Sequence, residues 1–380
     1  MRTHRQRAVF MRGGTSKAVM FRREDLPADP GAWDAIFLAA MGSPDPHGRQ
    51  LDGMGGGLSS LSKICVIGPP SRPDADVDYT FVQMSVDKPL ADYSGNCGNM
   101  SSAVGPFAVE EAIVAAPQDG EAVVRIHNTN TSKIIVSRFP VEDGMLAAGG
   151  DFELDGVAGT AAPIRLEFLE PGGAKTGKLL PTGSALDMLD VPGLGRIAAS
   201  CVDAANPAVF VATEDLGMTG VELPDALDRD TVFLERMEQI RLAASVRMGL
   251  APDLAAAARI PSIPKVAMLC APREAPTLAG QRLSPADMDI NIRMISVGQP
   301  HRAVPITGAI CLAVATRVGG TIPYRLCGAR SGPIRIGHAS GTILVDATVT
   351  ELPDGAMKAE LGAVYRSARR LFEGNVVYRI

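Results

Sequence analysis

Aromatic side chains make up only 4% of this 380-residue sequence, with a single tryptophan, so any core must be packed from aliphatic and small residues. A basic excess is also missing. The net charge of −5 and the isoelectric point near 5.6 deny the chain the positive field that nucleic acid or an anionic membrane requires. No apolar run approaches the ~20 residues of a membrane-spanning helix, and "MRTHRQRAVF" has no secretory leader pattern. Five histidines (positions 4, 47, 127, 301 and 338) form neither HxxxH nor HExxH, and six cysteines (65, 97, 201, 270, 311 and 327) form no CxxC. That spacing argues against a structural zinc site and for free thiols in a cytoplasmic protein.

What is present is an ordinary apolar fraction of 46%, 40 glycines, and enough length for two domains with separate cores. "RAVFMRGGTSKAVMF" reads as strand, turn, strand, because Gly13 and Gly14 permit a tight reversal between apolar runs. A helix is expected at about 31–41, then the glycine-rich "QLDGMGGGLSSLSKICVIG" feeding a strand, then the alternating strand "DVDYTFVQMSV". "GNMSSAVGPFAVEEAIVAA" is apolar on nearly every side and predicts a buried helix. "EAVVRIHNTNTSKIIVSRF" has the form of a long hairpin, "EPGGAKTGKLLPTG" is a candidate boundary, and "DTVFLERMEQIRLAASVRMGL" is an amphipathic helix. Strand, polar loop and small apolar helix then return as "DINIRMISVG", "QPHRAVPITG" and "AICLAVATRVGG", a weak internal repeat.

"GGAKTGKL" nearly spells a phosphate loop, but Leu179 stands where a magnesium-binding Ser or Thr belongs and Pro181 stops the helix. "YSGNCGNM" carries a stronger signal. It sets Cys97 among Asn96, Gly98 and Asn99 at a helix start, where the dipole and free backbone N–H groups favour a thiolate and bound anions. The plain alternative is a small buried hydrophobe. Lys63, where the glycine-rich loop meets a strand, is either an ordinary solvated lysine or a desolvated carbon-acid base. Arg12, Thr15, Ser16 and Lys17 share one turn suited to gripping carboxylates, or make a solvated hairpin. "GHASGT", with His338, Ser340, Gly341 and Thr342, is a turn or an anion loop.

Taken in order, "FMRGGTSKAVMF", "MGSPDPHGRQLDGMGGGLSSLSK", "DYSGNCGNMSSAVGPFAVEEA", "LPTGSALDMLDVPG", "DLGMTGVELPDAL", "IRLAASVRMGL" and "GHASGT" resemble the PrpF family, from residue 8 almost to the end. That family includes methylaconitate cis-trans isomerases, methylitaconate delta-isomerases and oxalomesaconate tautomerases. The resemblance implies an α/β (α+β), diaminopimelate epimerase-like fold: two pseudo-symmetric domains, each a β-barrel-like sheet around a central helix, with substrate in the cleft between them. Their expected extents are 1–183 and 184–365, with 366–380 returning to the first domain.

The resemblance also implies chemistry. Lys63 and Cys97 become the acid/base pair for a 1,3-proton shift through a dienolate, with no cofactor and no metal. Arg12, Thr15, Ser16, Asn96, Gly98, Asn99, Asn206, His301, Thr307, Gly308, His338, Ser340, Gly341 and Thr342 become the substrate-binding set. The two-thiol arrangement of the superfamily's epimerases is disfavoured, because "AVPITGAICL" places Cys311 one turn into the second helix, and Asn206 in "AANPAVFVA" lacks the histidine of the superfamily's Gly-Asn-Pro-His element. The expected substrate is a small unsaturated polycarboxylate, 2-methylaconitate first and methylitaconate or aconitate next, with oxalomesaconate tautomerisation as the runner-up and a silent carboxylate-binding protein as the alternative of another class. A homo-oligomer stays open.

Overall fold

The computed structural model describes residues 2–93 and 97–380. The chain divides into two compact units, one of residues 1–167 and 365–380 and the other of residues 168–364.

In unit 1, β1 (Thr3–Gly13) and β2 (Ser16–Arg22) form a hairpin around Gly14 and Thr15. After α1 (Trp33–Met41), β3 (Lys63–Gly68) joins β2 in parallel and β4 (Val77–Met84) pairs with β3 antiparallel. Then α2 (Gly98–Glu110) leads to β5 (Gly120–Asn128), parallel to β4, which turns back into the antiparallel β6 (Lys133–Glu142). The C-terminal strand Ala368–Arg379 completes the unit along the free side of β1.

Alternation along β3 assigns its two faces. Ile64 and Val66 pack with Ile36, Phe37 and Met41 of α1, so Lys63, Cys65 and Ile67 point to the other side of the sheet. That side holds α2. Every residue of α2 from Met100 to Val109 is buried, in keeping with its unsided composition. Its two buried serines are satisfied within the helix: Ser101 Oγ donates to the Cys97 carbonyl (3.1 Å) and Ser102 Oγ to the Asn99 carbonyl (2.7 Å).

Unit 2 repeats the plan. β7 (Gly195–Ala204) and β8 (Asn206–Ala212) form a hairpin, and α3 (Thr231–Arg247) follows. β9 (Lys265–Cys270) is parallel to β8 and antiparallel to β10 (Ile290–Ser296). α4 (Ile306–Ala315) precedes β11 (Ile334–His338), which is parallel to β10 and turns back into β12 (Gly341–Glu351). Antiparallel, parallel, antiparallel, parallel, antiparallel is the pairing order in both units, and in both an apolar helix precedes the final hairpin. This duplication is the two-unit α/β plan, with a central helix in each unit. On α3, Asp230 caps the Phe233 N–H (2.9 Å), and Phe233, Met237, Ile240 and Ala244 form its buried stripe. Burying the three larger of these stabilises by about 1.5–3 kcal/mol each.

The phosphate-loop look-alike lies in unit 2 and is already filled. The Asp203 carboxylate accepts the N–H groups of Lys175 (2.8 Å) and Thr176 (2.7 Å) and the Thr176 hydroxyl (2.8 Å). The loop therefore nests an anion, but one supplied by the chain itself.

Candidate active site

The N-terminus of α2 is fixed by the tip of the first hairpin. A Cβ on Gly13 would lie 2.8 Å from the Asn99 carbonyl oxygen, and one on Gly14, whose φ is +52°, would lie 2.4 Å from Asn99 Oδ1. Only glycine allows this approach. It brings the Thr15 hydroxyl to Asn99, whose Nδ2 donates to Thr15 Oγ1 at 3.1 Å. Cys97 is the half-buried residue from which α2 begins, its carbonyl accepting the Ser101 N–H at 3.0 Å. The Cys97 side chain makes no cap hydrogen bond to this helix, and a helix N-terminus presents backbone N–H groups suited to an anion. Asn96, the remaining expected neighbour of Cys97, lies outside the described residues.

Lys63 is buried, at 7% exposure, and no carboxylate among the described residues pairs with it. Its amine donates to Gln83 Oε1, directly across the β3–β4 ladder, and lies 5.1 Å from the centre of the Phe81 ring. Gln83 is held with its oxygen toward Lys63 because its Nε2 donates to the carbonyls of Ser59 (3.0 Å), Ser62 (3.0 Å) and Met84 (3.2 Å). Buried Gln50 braces the preceding loop, accepting from the Gly57 N–H (2.9 Å) and the Ser62 hydroxyl (2.6 Å).

Cys65 connects the two chemical groups. It follows Lys63 on the same face of β3, and its thiol approaches the Tyr79 hydroxyl at 3.9 Å. Burial pushes the Cys65 thiol far up, the charge of Cys97 adds to this and that of Lys63 opposes it. Tyr79 is likewise raised by burial, with Cys65 and Cys97 next among the causes, and it also hydrogen-bonds Ser101 of α2. Lys63 and Cys97 thus both lie near enough to this buried thiol for their charges to bear on it. A cavity of about 740 Å³ lined by Ser43, Asp45, His47 and Arg379 is a surface feature elsewhere in unit 1 and touches neither Lys63 nor Cys97.

Sequence reasoning missed Arg366. Its Nε donates to Asn99 Oδ1 (3.2 Å) and its Nη1 to the Tyr365 carbonyl (2.9 Å). It is buried without an acidic partner among the described residues, and burial lowers its pKa to about 10. An uncompensated guanidinium at the positive end of a helix is a strong attractor for an anion. Arg12 is more occupied: its Nη1 donates to the Gly14 carbonyl (3.0 Å) and to the carbonyl (2.9 Å) and hydroxyl (3.1 Å) of Ser367, which ties the turn to the returning segment. Ser16, buried, opens β2 beside them.

The expected residues of unit 2 fall at four places. Thr307 and Gly308 lie in the first turn of α4, which begins after Pro305 with no side-chain cap. Asn206 opens β8, its Nδ2 buried without a partner among the described residues. His338, Ser340, Gly341 and Thr342 form the β11–β12 turn, where His338 Nδ1 accepts the Ser340 N–H (3.1 Å) and Ser340 Oγ donates to the Arg302 carbonyl (2.7 Å). His301 follows β10, its Nε2 buried and without a partner among the described residues, and burial together with the charge of Lys265 lowers its pKa to about 4. Cys311 is a core thiol: fully buried, 3.5 Å from the Val202 carbonyl, and pushed up to about 12 by burial.

Among the described residues no three His, Cys, Asp or Glu side chains cluster as metal ligands, and no helix is long and apolar enough to cross a membrane.

A duplicated α/β chain with a thiol at a helix N-terminus and a buried amine facing the same helix defines the class. The PrpF family, described as PrpF protein, matches residues 3–379, and the chain belongs to it. It is 41% identical over 378 residues to the 2-methyl-aconitate isomerase of Cupriavidus necator, covering 97% of this chain and 95% of that protein. It is 40% identical over 372 residues to the 3-methylitaconate isomerase of Eubacterium barkeri, covering 97% and 96%. The crystal structure of a methylitaconate-delta-isomerase superposes with a TM-score of 0.89 at 39% identity, over 99% of this chain and 96% of that one.

Proposed function

We propose that this protein is an isomerase that moves a proton between carbons of an unsaturated di- or tricarboxylate, with 2-methylaconitate as the first candidate substrate. What supports the reading is that a buried amine with no carboxylate partner among the described residues, Lys63, and a half-buried thiol at the start of α2, Cys97, both lie near enough to Cys65 for their charges to bear on it. One of the two removes a proton from the carbon next to the conjugated double bond. The negative charge spreads into a dienolate, and the other group returns a proton at a different carbon or after rotation. The first turn of α2, with Asn99, Thr15 and Arg366 beside it, supplies the donors for carboxylate and dienolate oxygens.

The energetic division follows from magnitudes. A general acid or base contributes typically 10²–10⁴-fold, about 3–5.5 kcal/mol. Stabilisation of the dienolate must supply most of the rest. No step in this scheme calls on a nucleotide, flavin or metal ion.

The test is proton exchange. Incubated with trans-aconitate or 2-methylaconitate in deuterated buffer, the protein should incorporate label at the vinyl and methylene positions, as followed by NMR, and Lys63→Ala should lose it by 10²-fold or more. A carboxylate-binding protein without activity would bind the same compounds and exchange nothing. Turnover of oxalomesaconate alone among a panel of polycarboxylates would move the assignment to a tautomerase.

A further inference from the structure

The "HNTNT" turn that joins β5 to β6 reaches back onto β4. With β3 along its other edge, β4 meets β5 only as far as the Tyr79–Asn128 pair, and the short strand Ala91–Asp92 takes up the same edge from the Gln83–Asp92 pair onward. Among the described residues no strand lies beside Phe81 between them. The side-chain amide of Asn130 takes that place. Its Oδ1 accepts the Phe81 N–H (2.8 Å) and its Nδ2 donates to the Phe81 carbonyl (2.9 Å), as a facing residue of an antiparallel strand would. The same Nδ2 donates to the Tyr93 carbonyl (2.7 Å).

Both backbone segments that Asn130 ties together serve the candidate site. Phe81 shares a face of β4 with Gln83, across from Cys65 and Lys63, and its ring centre lies 5.1 Å from the Lys63 amine. Tyr93 precedes Cys97 by four residues, and its hydroxyl donates to Asp34 Oδ1 of α1 at 2.7 Å. The turn is itself braced, which leaves the Asn130 amide little freedom. The Thr129 N–H donates to the Tyr79 carbonyl (2.9 Å), the Thr129 and Thr80 hydroxyls meet at 2.7 Å, and Asn128 Oδ1 accepts both the N–H and the hydroxyl of Thr131 (3.0 Å each).

We propose that Asn130 is a positioning residue of the active site, holding the wall beside the Lys63 amine and the segment that leads to Cys97 in one fixed arrangement. The proposal rests on the isomerase reading above and gives Asn130 no contact with substrate. Its hydrogen bonds involve neither Asn99, Thr15 nor Arg366, so the donors for carboxylates stay in place without it. Misplacing a reacting group by about 1 Å costs on the order of 10²-fold in rate. Loss of Asn130 should therefore appear in kcat and hardly in KM.

The experiment uses the full-length protein and deuterium exchange into the unsaturated substrate. In Asn130→Ala, kcat should fall by about 10- to 100-fold while KM stays within about threefold. Asn130→Asp keeps the acceptor for the Phe81 N–H and, while ionised, lacks both donors. Protonation returns one O–H donor, so its kcat relative to wild type should recover by about threefold or more as the pH falls from about 8 to about 5. Thermal denaturation selects conditions in which each variant is folded, where a residue that merely stabilises the fold leaves kcat unchanged. Wild-type kcat in folded Asn130→Ala, whatever its KM, overturns the proposal. Should that variant not fold, a ratio of Asn130→Asp to wild type that is flat across this pH range overturns it. Either result beside exchange by the wild-type protein leaves the isomerase standing and removes the role of Asn130. No exchange by the wild-type protein removes both.

Discussion

Arg366 Nε donates to Asn99 Oδ1 at 3.2 Å, across 267 residues of sequence, and in doing so orients the amide that Thr15 accepts from the other side. A buried cation with no acid beside it among the described residues costs the fold stability, and an anion bound there would offset that cost.

Arg366→Met should therefore separate stability from binding. The variant removes a desolvated charge and keeps most of the volume, so unfolding free energy should change by less than about 2 kcal/mol. The KM for a polycarboxylate should rise by about tenfold, since Asn99 loses the donor that sets its orientation. Thermal denaturation and steady-state kinetics on the same preparation check this. An unchanged KM would make Arg366 a purely structural residue.

His301 should leave a mark on the acid side of the stability profile. Its pKa is about 4 in the folded chain against an ordinary value of 6.5, with burial as the main cause and Lys265 as the second. Between these values the unfolded chain binds a proton that the folded chain does not. The stability contributed by the neutral ring is thus fully present above pH 6.5 and is lost as pH falls toward 4. Denaturant titrations across that window should show wild-type stability falling more steeply than that of His301→Gln. Parallel curves would contradict the burial of this ring.

Alkylation should discriminate among the six thiols. Cys65, Cys201, Cys270, Cys311 and Cys327 are buried and raised by that burial, whereas Cys97 is half-buried at a helix start. Iodoacetamide followed by peptide mass spectrometry should find Cys97 modified at least about tenfold faster than any other, with trans-aconitate slowing the reaction. Uniform labelling would count against a privileged thiol.

Local patterns carried much of this architecture in plain view. Gly13 and Gly14 between apolar runs announced the hairpin, and "GNCGN" before an unsided apolar run announced a buried helix with a thiol at its start. The repeat was faint in sequence because its two copies share pairing order rather than residues. The missed groups are those whose meaning depends on distant partners. Arg366 sits in "VYRSARRLF", which reads as a solvated basic stretch until the strand returns to unit 1 and places it on Asn99. Gln83 is one polar residue in an alternating strand, and its role in holding Lys63 follows only from ladder register.

The strand that closes unit 1 against β1 is synthesised only after the whole of residues 168–364 has been made. At about 5–20 residues per second, the nascent protein carries β1 as an open edge for roughly 10–40 seconds. An exposed strand edge is an invitation to pair with another chain. The ribosome-bound intermediate, rather than the finished enzyme, is where this protein should be most prone to aggregate and most dependent on chaperones.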